Sequence, residues 1–107
     1  MGYLPGVYKD FIKQYPEINK SYDVLANACH KAGPLDKKMR RLIKLGIAIG
    51  INSEGSVRSH ARRALEEGCT AEEVRHVVLL SFTTAGFPYM VAAYKWVEEV
   101  ISKQVQR

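Results

Sequence analysis

The sequence predicts an all-α fold, a compact bundle of about six helices. Three observations predict it. Apolar residues recur three or four positions apart along most of the chain, and no stretch alternates as a strand would. Pro5, Tyr15-Pro16, Gly33-Pro34, Asn52 to Gly55, Gly68 and Gly86 to Pro88 cut the 107 residues into pieces long enough for helices. Thr70-Ala71-Glu72-Glu73 matches a capping box, in which a threonine hydroxyl and a glutamate reciprocally satisfy amides at a helix start.

The first predicted helix, about Gly6 to Gln14, places Val7, Phe11 and Ile12 together. The second runs from Pro16 to about Ala32. Proline suits its opening because the missing N–H would lack a helical partner there. Its stripe is Ile18, Tyr22, Leu25, Ala26 and Cys29, and Gly33-Pro34 ends it. The third begins near Asp36, an N-cap residue type. Its first half is basic and its second half apolar nearly all round, which predicts burial on most sides. Gly46 and Gly50, four apart, would admit another helix closely. The fourth runs from an N-cap at Ser53 to Gly68 and carries Val57, His60, Ala61, Ala64 and Leu65 as its stripe. Arg58, Arg62, Arg63, Glu66 and Glu67 read as its outer face. The fifth follows the capping box with Val74, Val77, Val78, Ser81 and Ala85. The sixth opens at Pro88, with Val91, Tyr94, Val97, Val100 or Ile101, and Val105 as its stripe.

The length fits one domain, residues 1–107. No apolar run reaches the roughly 20 residues needed to span a bilayer, so no membrane association is expected. The N-terminus lacks the basic and apolar regions of a signal peptide, and a cytoplasmic location follows as an expectation. The net charge of +5 gathers in Lys37, Lys38, Arg40, Arg41, Lys44, Arg58, Arg62 and Arg63. Without zinc spacing, an RNP-like motif or a Gly-rich phosphate loop, that charge reads as a solvated face and no nucleic-acid partner is expected. Cys29 and Cys69 are too far apart for a redox or metal motif and read as buried or half-buried thiols. No histidine pair has ligand spacing, so no metal and no cofactor is expected. His76 reads as exposed or interfacial. Glu72 and Glu73 belong to the cap and the helix dipole.

Five pieces stand in one order along the chain: Leu35-Asp36 opening a helix; Leu42-Ile43-Lys44-Leu45-Gly46-Ile47-Ala48; His60 with Arg62-Arg63-Ala64-Leu65-Glu66-Glu67-Gly68; Thr70 to Val74; and Ala85-Gly86-Phe87-Pro88. In that order and spacing the chain resembles the carboxymuconolactone decarboxylase and alkyl hydroperoxidase D superfamily, over a core of about residues 34–100. The resemblance implies an alkyl hydroperoxidase D-like fold and a homo-oligomer, a trimer or hexamer. Tyr89, Tyr94 and Trp96 are candidates for its interface. The peroxidase branch carries C-x-x-C-x-x-x-H at the fourth helix. Aligned on His60, its cysteines fall on Ser53 and Ser56 and its relay glutamate on Arg41. A serine hydroxyl cannot cycle through sulfenic acid and disulfide, so that redox mechanism is absent as written.

The decarboxylase branch also lacks the cysteines and keeps a histidine at this position, so His60 is the candidate catalytic residue. An imidazole can move a proton near neutral pH. A neighbouring cation would bind a substrate carboxylate and stabilise developing negative charge. Arg41, Arg58 and Arg62 are the candidates for that cation. Three functions follow: a cofactor-free lyase, or related proton-transfer enzyme, on a small carboxylic acid or lactone; a non-catalytic oligomeric small-ligand binder or scaffold; and a peroxide reductase working through Cys29 or Cys69, disfavoured by Ser53 and Ser56. A buried His60 bonded within the core would be the purely structural outcome.

Overall fold

A computed structural model describes residues 6–106, with side chains through 104. The N-terminal residues read for a leader, and Val105 of the last stripe, lie outside the described side chains. Six helices occur in the order α1 (Gly6–Gln14), α2 (Pro16–Lys31), α3 (Lys37–Gly50), α4 (Glu54–Glu66), α5 (Ala71–Phe82) and α6 (Phe87–Gln106). No strand occurs among the described residues. The helices fall into two compact units divided between Leu35 and Asp36. No helix among the described residues is long and apolar enough to cross a membrane.

The first unit holds α1 and α2. Tyr15 sits between them and makes no side-chain cap, while Pro16 opens α2. The Phe11 and Tyr15 rings pack at a centroid distance of 5.6 Å. Neither helix has a buried residue. The predicted stripe of α2 is helical in spacing, yet Ile18, Tyr22 and Leu25 are exposed, and so is Cys29. That corrects the expectation of a covered thiol at Cys29.

The second unit holds the core: Leu45, Ala48 and Ile49 from α3, Val57, Ala61 and Ala64 from α4, Val74 and Val78 from α5, and Ala93, Val97, Val100 and Ile101 from α6, with Cys69. Local chemistry places the helix ends. The Asp36 carboxylate accepts from the Met39 amide at 2.9 Å. The capping box forms in both directions, with Glu73 N–H to Thr70 Oγ1 at 3.0 Å and Thr70 N–H to Glu73 Oε1 at 2.8 Å. Ser53 occupies the N-cap position of α4, but its hydroxyl makes no capping bond, contrary to expectation. Gly68 ends α4 at φ +100°, and the following Cys69 amide reaches back to the Ala64 carbonyl at 2.9 Å. That is the left-handed C-terminal arrangement for which glycine is suited. Asn52 takes φ 55° in the α3–α4 turn, a conformation asparagine tolerates better than most residues.

Two faces differ from the sequence pattern. Helix α3 is not buried on most sides: Ile43 is 45% and Ile47 59% exposed, because α4, α5 and α6 cover only the Leu45–Ala48–Ile49 side. A Cβ at Gly46 would meet Val77 Cγ1 at an ordinary 3.7 Å and one at Gly50 would meet nothing among the described residues, so neither position requires glycine for a close helix. In α6 the buried face runs through Ala93, Val97, Val100 and Ile101, with Met90 and Trp96 partly covered, whereas Val91 and Tyr94 are exposed. Size misled the sequence pattern: the fully buried Ala61, Ala64 and Ala93 let α4 and α6 lie close, so a small residue marks the inner face. The one buried polar residue among those described, Ser81, satisfies its hydroxyl on the Val78 carbonyl at 2.6 Å.

Candidate functional site

Helices α3 and α4 form a hairpin through the Asn52 turn, so the start of α3 lies beside the end of α4. On α3, Lys37, Arg41 and Lys44 recur at four and three residues and share a face. On α4, Ser56, His60 and Arg63 do the same, and Glu67, the C-cap residue, continues that face. Where the faces meet, the Arg41 guanidinium makes three bonds. Its Nε and one terminal nitrogen donate to the two Glu67 carboxylate oxygens, each at 3.0 Å. Its other terminal nitrogen lies 2.8 Å from His60 Nδ1. The Arg41 and Glu67 side chains retain only 11% and 17% of their exposure, and His60 is half-buried.

The surroundings are cationic. Burial first, then the charges of Arg41, Arg63 and Lys44, lower the His60 pKa from 6.5 to about 4, against a smaller opposing effect of Glu67. The imidazole is therefore neutral at pH 7. Burial works against the Glu67 carboxylate, but the Arg41 bond and charge outweigh it and hold its pKa below the usual range. Among the described residues, the charges acting on His60 are those of Arg41, Lys44 and Arg63 against Glu67, a balance that favours an anion.

The structure brings together two of the predicted residues, His60 and Arg41. It turns Arg58 and Arg62 elsewhere. Both lie two residues from His60, about 200° around the helix. Arg58 is held by Glu54 at 3.0 Å and by Glu99 of α6 at 2.6 Å. Arg62 Nε is buried and has no hydrogen-bond partner among the described residues. Neither arrangement brings a cation to His60. Sequence reasoning missed Glu67, Arg63 and Lys44. It grouped Glu67 and Arg63 with Arg58 as an outer face, although the spacing of 60, 63 and 67 already placed them with the histidine. Ser56 stands one turn before His60 on that face and Ser53 a turn earlier. Cys69 is buried, and burial pushes its thiol pKa up, with Glu73 adding to the effect. No group of three or more His, Cys, Asp or Glu side chains among the described residues could hold a metal ion. His76 is exposed.

The family model for carboxymuconolactone decarboxylases matches residues 16–99, which takes in α2 as well as the whole four-helix unit apart from the end of α6. The chain belongs to the carboxymuconolactone decarboxylase family. It is 28% identical to an uncharacterized protein of Methanocaldococcus jannaschii over 92 residues, 86% of each chain. It is 32% identical over 73 residues to the nitrosuccinic acid decarboxylase of Metarhizium robertsii, covering 68% of this chain and 51% of that one. The crystal structure of an apo carboxymuconolactone decarboxylase family protein from Legionella pneumophila superposes with a TM-score of 0.73 at 28% identity, covering 87% of this chain and 86% of that one. The family match begins earlier than the core of about 34–100 that the motifs suggested, because α2 carries none of the ordered pieces.

Proposed function

We propose that this family member is a cofactor-free lyase that removes CO2 from a small carboxylic acid or lactone acid, with His60 at the reacting centre. The observation that carries the reading is the His60 imidazole, half-buried, tied to Arg41 and surrounded by more cations than carboxylates. A histidine sealed in the core on a backbone carbonyl would have been structural; this one bonds a guanidinium. Loss of CO2 leaves an electron pair that needs a positive, hydrogen-bonding environment, and this site supplies one. The likeness to a nitrosuccinic acid decarboxylase supports the same reaction class and extends the substrates to be tried to nitro acids.

Roles divide within the site. Glu67 already occupies two arms of Arg41, so Arg41 orients His60, and Arg63 is the cation for a substrate carboxylate. Arg58 and Arg62 are not needed in this reading. The chain works as a homo-oligomer, for which exposed Ile43, Ile47, Leu79, Phe87, Tyr89 and Tyr94 offer apolar surface. A cytoplasmic location suits its free thiols. Peroxide reduction is the weaker reading, since a buried thiol with a raised pKa is a poor nucleophile.

The test is CO2 release from carboxymuconolactone, related lactone acids and nitrosuccinate, with wild type beside His60→Ala. Turnover that falls at least about a hundredfold in the variant is expected, the scale of a lost group at the reacting centre. A folded wild type that releases no CO2 from any of them, yet binds them saturably, would favour the second reading, a non-catalytic binder of small acids. Arg41 supports that reading to a degree, because its carboxylate-binding edge is already filled by Glu67.

A further inference from the structure

The Arg41–His60 contact says more than that the two side chains are neighbours. Every guanidinium nitrogen is a donor and none is an acceptor. The 2.8 Å approach of Arg41 to His60 Nδ1 is therefore a hydrogen bond only if Nδ1 carries a lone pair. A neutral imidazole has one N–H, which must then sit on Nε2. Among the described residues Nε2 has no protein partner. The other two Arg41 bonds, both to Glu67, fix the plane and rotation of the guanidinium, so its third arm stays aimed at the ring.

We propose that His60 acts on the substrate as a hydrogen-bond donor through Nε2, held in that tautomer by Arg41, and not as a general base or a proton-carrying acid. Arg41 is a positioning residue, and Glu67 positions Arg41. The inference rests on the decarboxylase reading above and narrows it. The substrate class is a carboxylate whose carboxyl-bearing carbon is attached to a carbonyl or another group able to hold an electron pair on oxygen.

The alternatives fail on geometry. A base needs a lone pair on Nε2, which moves the N–H to Nδ1 and sets it against the Arg41 N–H. An imidazolium sets the same two donors face to face and adds a charge among Arg41 and Lys44 of α3 and Arg63 of α4, against the carboxylate of Glu67. A neutral imidazole that polarises a carbonyl is sound chemistry at pH 7. In the step itself the bond between the carboxyl and its carbon breaks and CO2 leaves. The electron pair moves into the adjacent carbonyl, and its oxygen, now negative, accepts the Nε2 hydrogen bond. Water then protonates the carbon, and the hydroxide combines with CO2 as bicarbonate, so neither a stored proton nor an external reductant is required.

The experiment is a long-range proton–nitrogen correlation spectrum of the histidine-labelled protein from pH 3.5 to 8, with Arg41→Met, the milder Arg41→Lys and His60→Gln for assignment. His60 is expected as the Nε2–H tautomer throughout the neutral range, titrating below pH 5. Arg41→Met, or Arg41→Lys if the former does not fold, is expected to mix the tautomers and raise the titration by at least about one unit while the hydrogen-exchange protection of the α4 amides stays unchanged; a rise that comes with lost protection would be loss of packing and would overturn the positioning role. An Nδ1–H tautomer in the wild type, or an imidazolium at pH 6, overturns the proposal. The readout needs no substrate. An Nε2–H spectrum with no CO2 release would uphold the tautomer lock and overturn the decarboxylase reading beneath it. With turnover in hand, kcat/KM flat from pH 5.5 to 8 is expected, and a limb near pH 6.5 contradicts the donor role.

Discussion

Arg41 and Arg75 make the same fork in two places. Each lays Nε and one terminal nitrogen along both oxygens of a glutamate, Glu67 for Arg41 and Glu98 for Arg75. Each has one arm left. Arg75 gives it to a second carboxylate, Glu72, at 2.7 Å, while Arg41 gives it to the imidazole of His60 at 2.8 Å. The Arg75 side chain keeps 40% of its exposure and Arg41 11%. The α5–α6 fork has more carboxylates than cations and stands in water. The α3–α4 fork has the reverse balance and stands half out of water. Guanidinium geometry alone therefore does not mark a site. What marks it is the third partner, a group that can change its protonation, together with the desolvation that makes the choice of protonation state matter.

The largest contrast is in stability. Arg41→Met leaves the Glu67 carboxylate and His60 Nδ1 without their donor, and is expected to cost ~2 kcal/mol, less than the loss of a fully buried partner because some exposure remains. Arg75→Met is expected to move the urea midpoint several-fold less, since water replaces the lost bonds. Equal midpoint shifts would erase the distinction drawn between the forks.

The next contrast is in pH. The His60 pKa is depressed from 6.5 to about 4, so the unfolded chain takes that proton first. Stability from keeping His60 neutral is complete above pH 6.5 and declines as pH falls toward 4. The lowered pKa of Glu67 adds a separate loss at still lower pH. Urea midpoints between pH 4 and 7 should slope upward in wild type and flatten in His60→Gln, whereas Arg75→Met should keep the slope. A slope unchanged in His60→Gln would assign it to another group.

The smallest contrast is in salt. Raising ionic strength from 0.05 to about 0.5 M shortens the screening length to a few ångströms and weakens exposed pairs most. The midpoint difference between wild type and Arg75→Met should shrink, and that for Arg41→Met should persist.

The same contrast shows what the sequence could and could not tell. Helix count and most ends were legible because capping residues, Pro16, Gly68 and the Thr70–Glu73 box act through neighbours a few positions away. His60 and Arg41 were legible through the family pattern. The helical spacing from His60 through Arg63 already separated Glu67 from Glu66, but its bond to Arg41 was not legible, because that partner lies 26 residues away. Arg58 and Arg62 were grouped with the site for the converse reason: nearness in sequence to His60 hides a half-turn of helix. In α6 the reading of Val97, Val100 and Ile101 as inner held, while Val91 and Tyr94 were misread in place of Ala93, because burial there follows the close approach of alanines, a property of two helices together. The stripe of α2 was read correctly as helical, but a stripe does not say what covers it.

The most direct test of the central claim, that the α3–α4 fork is the working site, is a titration with a small dicarboxylate such as succinate, followed by the imidazole resonances of all three histidines. Saturable shifts are expected at His60 Nε2 and its attached proton, with His76 unmoved, and their loss in a folded Arg63→Gln variant. Saturable binding that leaves His60 untouched, or no binding by a folded protein, would contradict it.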